Sequence, residues 1–215
     1  VDIDTENVCS ATSHHVEYRR TYRLSINLGS EAMKTLGMIV IDLQNEYLPT
    51  GKLPLSGIEA AADNAAKVIA DARAKGIPVF HIRHEFEGDE APVFVLGSNG
   101  VEIQPAVAPI GDEPVIVKNH INSFRETNLK QQLDAPGVGE VVVVGAMSHL
   151  FVDACVRAAV DMGYPATVLH DACATLDLEF NGVSVPAAQV HAAMMAAFEF
   201  GYATVKSTQT YLAAE

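Results

Sequence analysis

Six short aliphatic runs, spaced by stretches of helical periodicity, constrain this chain more than any other feature of its sequence. They are Gly37–Asp42 (GMIVID), Val79–Arg83 (VFHIR), Val115–Val117, Glu140–Val144 (EVVVV), Ala166–His170 and Ala203–Lys206. Each has the length of a strand, and the central ones are apolar at consecutive rather than alternate positions, the pattern of strands buried on both faces. Between them, Ile58–Lys75 carries apolar residues at helical spacing and is closed by Gly76 and Pro78. Leu129–Leu133, His149–Met162 (stopped by Gly163) and Pro186–Phe200 read as further helices. Strands alternating with helices predict a doubly wound α/β fold: a six-stranded, mostly parallel sheet in a Rossmann-like three-layer sandwich.

Residues 1–32 differ in character. They are polar, group Arg19, Arg20 and Arg23, and end in a period-two stretch of Tyr22, Leu24, Ile26 and Leu28. The pattern predicts an extension, an edge strand or oligomerisation arm, ahead of a domain over 33–215. With 27 acidic against 14 basic residues the formal charge is −13, which argues against a nucleic-acid partner, because phosphate binding needs a basic stripe. The longest aliphatic runs fall far short of the roughly 20 residues of a membrane helix. Cys9, Cys155 and Cys173 are too few and too irregularly spaced for a disulfide framework or structural zinc. The expectation is a cytoplasmic protein with reduced thiols and no signal peptide, binding neither membrane nor nucleic acid.

In open parallel sheets ligands bind at the carboxyl ends of the strands, near the point where strand order reverses. Asp42 leaves the first strand with Ile39, Val40 and Ile41 behind it, so partial desolvation should raise its pKa toward a general acid or base role. By itself it could equally tie a loop. Lys118 ends the third strand; beside a buried carboxylate it would hold that group ionised and stabilise a developing anion. Gly145 permits a tight strand-to-helix turn, after which Ser148 is a natural N-cap and the first helical turn offers free N–H groups. His81 and His84 fall on opposite faces of their strand and make a poor metal pair.

Together these exits resemble the isochorismatase-like cysteine hydrolases, a group that includes nicotinamidases and other small amidases. The resemblance rests on IDLQNEY with Asp42, VKNHINSF with Lys118, VVVVGAMSHLFVDACVRAAVDMGY, and HDACATLD followed by a helix containing His191. It implies the strand order 3-2-1-4-5-6, a small-molecule substrate, a homo-oligomer and no cofactor. It also implies a non-proline cis peptide at Ala146–Met147, with the N–H groups of Met147 and residue 151 forming an oxyanion hole, and pocket residues Gln44, Tyr47, Asn122, Phe124 and His149. Members that cleave amides carry a nucleophilic Cys at the position of Phe151, where this chain has a benzyl group. The metal site of the nicotinamidase type, D-x-H with a further His, has no counterpart after Asp42.

Cys155, one helical turn beyond Phe151 and so about 5.4 Å along the axis, is expected to be a buried core thiol, as is Cys173. Two functions follow. One is a hydrolase of C–O or C–N bonds without a thiol, using Asp42 as general acid or base and Lys118 as its partner; the resemblance supplies a precedent in isochorismatases proper, which lack the Cys and protonate a vinyl ether through the equivalent aspartate. The other is a disabled member, either a binding or assembly protein in which Phe151 fills the space of the acyl intermediate or an amidase inactivated by a Cys-to-Phe replacement at 151.

Overall fold

The computed structural model describes residues 35–86, 88 and 91–214; the expected N-terminal extension and Cys9 lie outside them. The main sheet holds β1 (Thr35–Ile41), β2 (Val79–His84), β3 (Val115–Lys118), β4 (Val138–Ala146), β5 (Ala166–Ala174) and β8 (Ala203–Lys206). Their order is β3-β2-β1-β4-β5-β8, every pairing parallel. That is the expected 3-2-1-4-5-6 arrangement. The order reverses between β1 and β4, so Asp42, directly after β1, and the turn after β4 face each other across the switch point.

Helices α1 (Ile58–Ala74), α2 (Leu129–Asp134), α3 (Asp153–Asp161), α4 (Ala187–Gly201) and α5 (Thr208–Leu212) complete the layers. The residues of α1 that face the sheet are Ile58, Ala61, Ala65, Val68, Ile69 and Ala72, all buried. This is the 3–4 spacing read from the sequence, and its alanines let the helix lie close against β1, β4 and β5. From Gly37 in β1 and from Val141 in β4 the strands are apolar on both faces and buried.

Three features differ from the sequence expectation. The helix expected over His149–Met162 opens with one wide π turn, Ser148–Val152, before regular α3. Ser148 does not cap it: Met147 holds that position, and the Ser148 hydroxyl instead reaches the Ala174 carbonyl (3.2 Å) and His191 Nδ1 (2.8 Å). Tertiary partners thus outcompete the local cap. Finally, β6 (Leu178–Phe180) and β7 (Val183–Val185) form a separate antiparallel hairpin around Asn181 and Gly182, both at positive φ, the turn that an Asn-Gly pair favours.

Candidate active site

The site begins with main-chain geometry. Asp42 sits at φ 49°, a left-handed conformation that Asp tolerates better than most residues, and its N–H donates to the Ile82 carbonyl. The chain thereby turns off β1 with the Asp42 side chain fully buried. Gln44 fixes the loop that follows: its amide donates to the His84 and Val101 carbonyls (both 2.8 Å) and accepts from the His84 N–H (2.9 Å). Gly145 pairs with Ile41 across the switch point; its φ of 134° and its approach to Ile41 leave no room for a side chain, since a Cβ would stand 2.0 Å from the Ile41 oxygen.

On this frame Lys118 Nζ meets Asp42 Oδ2 at 2.7 Å, both side chains wholly inaccessible. Burial pushes the Asp42 carboxyl up to about 6 against the opposing pull of the Lys118 charge and hydrogen bond. The Phe151 ring closes the cluster, its centroid 3.9 Å from the ammonium in a desolvated cation–π contact. The His84 imidazole also lies against the Phe151 ring, centroids 5.0 Å apart and planes 35° apart. Edge-on contacts continue from His84 to Phe86 (4.6 Å) and Phe94 (5.4 Å), and from Phe94 to Tyr47 (5.1 Å). Desolvation, assisted by the Lys118 charge, lowers His84 to about 3, so its imidazole is neutral. Burial first, then the Asp42 and Glu46 charges, holds the Tyr47 phenol well above its usual range. The Tyr47 hydroxyl has no hydrogen-bond partner among the described residues.

Asp42, Lys118 and Phe151 therefore come together as the sequence led one to expect, with Tyr47 on the flank. The hydrogen bonds of the other expected pocket residues lead elsewhere. Asn122 Oδ1 accepts from the Phe124 N–H within the turn after β3, Phe124 packs on the core, and His149 Nδ1 meets Thr175 Oγ1 at 2.6 Å. The Ala146–Met147 bond is cis, and Met147 is buried beside the π turn. Cys155 and Cys173 are buried, and desolvation pushes both thiols up to about 12. Among the described residues no group of three or more His, Cys, Asp or Glu side chains is placed to hold a metal ion, and no helix is long and apolar enough to cross a membrane.

His84 is one of the strand exits the sequence singles out, but it was weighed further as half of a metal pair and not carried into the candidate site. Its signal was available: it ends β2 at the same sheet edge as Lys118, its register partner in β3.

A doubly wound parallel sheet with a buried carboxylate–ammonium pair at its switch point, beside a helix-opening turn, defines the class: a Rossmann-like α/β domain. The isochorismatase domain profile matches residues 37–207, and the chain belongs to the isochorismatase family. It is 48% identical over 178 residues to the isochorismatase family protein YddQ of Bacillus subtilis, covering 83% of this chain and 99% of that one. It is 35% identical over 141 residues to the secreted isochorismatase effector Isc1 of Verticillium dahliae, covering 66% and 73%. The crystal structure of an isochorismatase from Pseudomonas putida superposes with a TM-score of 0.79 at 37% identity, covering 88% of this chain and 96% of that one.

Proposed function

We propose that this chain is a thiol-independent hydrolase of a small molecule, cleaving a C–O or C–N bond with Asp42 as general acid and base and Lys118 as its electrostatic partner. The observation that carries this reading is the fully buried Asp42–Lys118 pair, whose carboxyl titrates at about 6 and so populates both protonation states near neutral pH. For a vinyl ether, the protonated carboxyl gives its proton to the alkene carbon and Lys118 steadies the carboxylate left behind. Water adds to the resulting oxocarbenium ion and returns a proton to Asp42, and collapse of the hemiketal breaks the C–O bond. The N–H groups of Met147 and Phe151 are assigned to a developing oxyanion, with Tyr47 beside the substrate and Gln44 holding the loop in place. The similarity to a protein named as an isochorismatase effector supports the C–O alternative.

The Phe151 ring on the ammonium favours a second reading, a family member disabled by a filled pocket. One assay separates them. The parent protein, Asp42→Asn and Phe151→Cys are tested against a panel of small amides and an enol-ether substrate. Activity in the parent that is lost in Asp42→Asn supports the hydrolase, and activity confined to Phe151→Cys supports the disabled amidase. A parent and Asp42→Asn of equal activity would refute the role given to Asp42.

A further inference from the structure

Large apolar side chains left exposed gather at one edge of the main sheet. Ile110, Val115, Val117 and Ile121 are between 38% and 55% exposed. β3 is the outermost strand on that side, and its burial alternates: Ile116 and Lys118 are covered while Val115 and Val117 are not. The same two valines carry open hydrogen-bonding groups. The Pro114 and Lys118 carbonyls accept from the N–H groups of His81 and Glu85, in and just after β2. Residues 114, 116 and 118 therefore turn their main chain toward β2, and the N–H and C=O groups of Val115 and Val117 point away from the sheet. Natural edge strands are usually protected by an outward charge, a proline or a bulge. The uncovered face of β3 has no such guard, since its lysine turns inward to Asp42. The opposite edge strand, β8, is buried or half-buried throughout.

We infer that β3 is a self-pairing edge: a second copy of this chain lays its own β3 antiparallel to the first, about a two-fold axis through Ile116, and the sheet continues across both copies. Register and charge decide for a second copy. Antiparallel pairing through the open groups of Val115 and Val117 sets each Val115 opposite a Val117 across the axis and joins their side chains into one apolar face, with Ile110 and Ile121 flanking it. The same register sets Asp112 opposite His120 and Glu113 opposite Asn119, so no like charges meet. A parallel alignment would instead lay the acidic pair Asp112 and Glu113 beside its own counterpart. Lys118 ends β3, so pairing also steadies the strand that presents the ammonium to Asp42.

The full chain, Val117→Lys and Asp112→Lys are compared by size-exclusion chromatography with light scattering over a range of concentrations. The parent should form a dimer, or a larger assembly of such pairs, that dissociates on dilution. Val117→Lys changes an exposed position and should keep the parent's melting temperature to within about 2 °C, yet be monomeric, or halved in mass, where the parent is assembled. Asp112→Lys puts like charge opposite His120 and should weaken the dimer roughly two- to tenfold. Amide hydrogen exchange of the parent locates the contact and decides alone if Val117→Lys does not fold. The Val115 and Val117 N–H groups should exchange at least about tenfold more slowly in the dimer, whereas Ile116 and Lys118, already turned to β2, should not change. A parent monomeric at every concentration, a folded Val117→Lys of unchanged mass, or unprotected Val115 and Val117 amides in the assembled parent would overturn the inference. Loss of assembly on deleting residues 1–32, with Val117→Lys still assembled, would assign the contact to that segment and overturn it equally.

Discussion

The buried Asp42 carboxyl should make this protein's stability depend on pH in the direction opposite to that of most acidic groups. Salt-bridged carboxylates usually titrate low when folded, so proteins lose stability as pH falls. Here burial outweighs the attraction of Lys118, and the folded carboxyl titrates near 6 against about 3.8 unfolded. Between those values the folded state holds the extra proton, so this group's contribution is fully favourable below 3.8 and is lost as pH rises through 6. The gap of roughly two pH units, at about 1.4 kcal/mol each, amounts to about 3 kcal/mol. The assay is urea denaturation of the parent and Asp42→Asn at intervals from pH 3.5 to 7.5, taking the difference in unfolding free energy at each pH so that other titrating groups cancel. The parent should gain about 3 kcal/mol on the variant as pH falls across the window. A flat difference would show that Asp42 titrates alike folded and unfolded, and a difference growing with pH would show that Lys118 wins over desolvation; either refutes the argument that this carboxyl is poised by burial.

Other outcomes follow from the same geometry. If Asp42 acts as the acid, kcat/KM on an enol ether should fall above about pH 6, and a profile level from pH 5 to 8 would remove it from that role. Iodoacetamide should leave the folded protein's Cys155 unlabelled and its activity unchanged, because the thiol is inaccessible and held near 12; stoichiometric loss of activity on labelling would make Cys155 the nucleophile. Gln44→Leu removes three buried hydrogen bonds and should cost about 2–4 kcal/mol in urea unfolding, whereas a loss below about 0.5 kcal/mol would mean the loop is held by other contacts. Deleting residues 1–32 should change the oligomer size by light scattering if that segment is an assembly arm, and an unchanged mass would dismiss the arm.

The strands and their order were legible because a doubly covered parallel sheet requires consecutive aliphatic residues, and Ile39 to Ile41 and Val141 to Val144 can hardly be anything else. Asp42 and Lys118 were legible because topology alone brings the ends of β1 and β3 to one edge. What the sequence hid depended on side-chain competition in three dimensions. Ser148 has the residue type of a cap, yet His191, distant in sequence, captures its hydroxyl. The π turn at Ser148–Val152 leaves no local mark, and while the sequence led one to expect Phe151 near the Lys118 ammonium, it did not disclose the contact of its ring with His84. The hairpin is a different matter: Asn181-Gly182 between LEF and VSV was a readable turn signal that no expectation used.

Gly145 carries a consequence for how such a site can change over time. Residue 151 contributes a side chain to the pocket, whereas the turn that presents it depends on Gly145 approaching Ile41 closely enough that even one added carbon would collide with main chain. Mutational freedom is thus inverted relative to chemical importance. A side chain at 151 stands on the turn without entering the main-chain contact, whereas Gly145 cannot accept even a methyl group. In a saturation scan scored for folding, the least tolerant residue of the site would be the one that never touches a substrate.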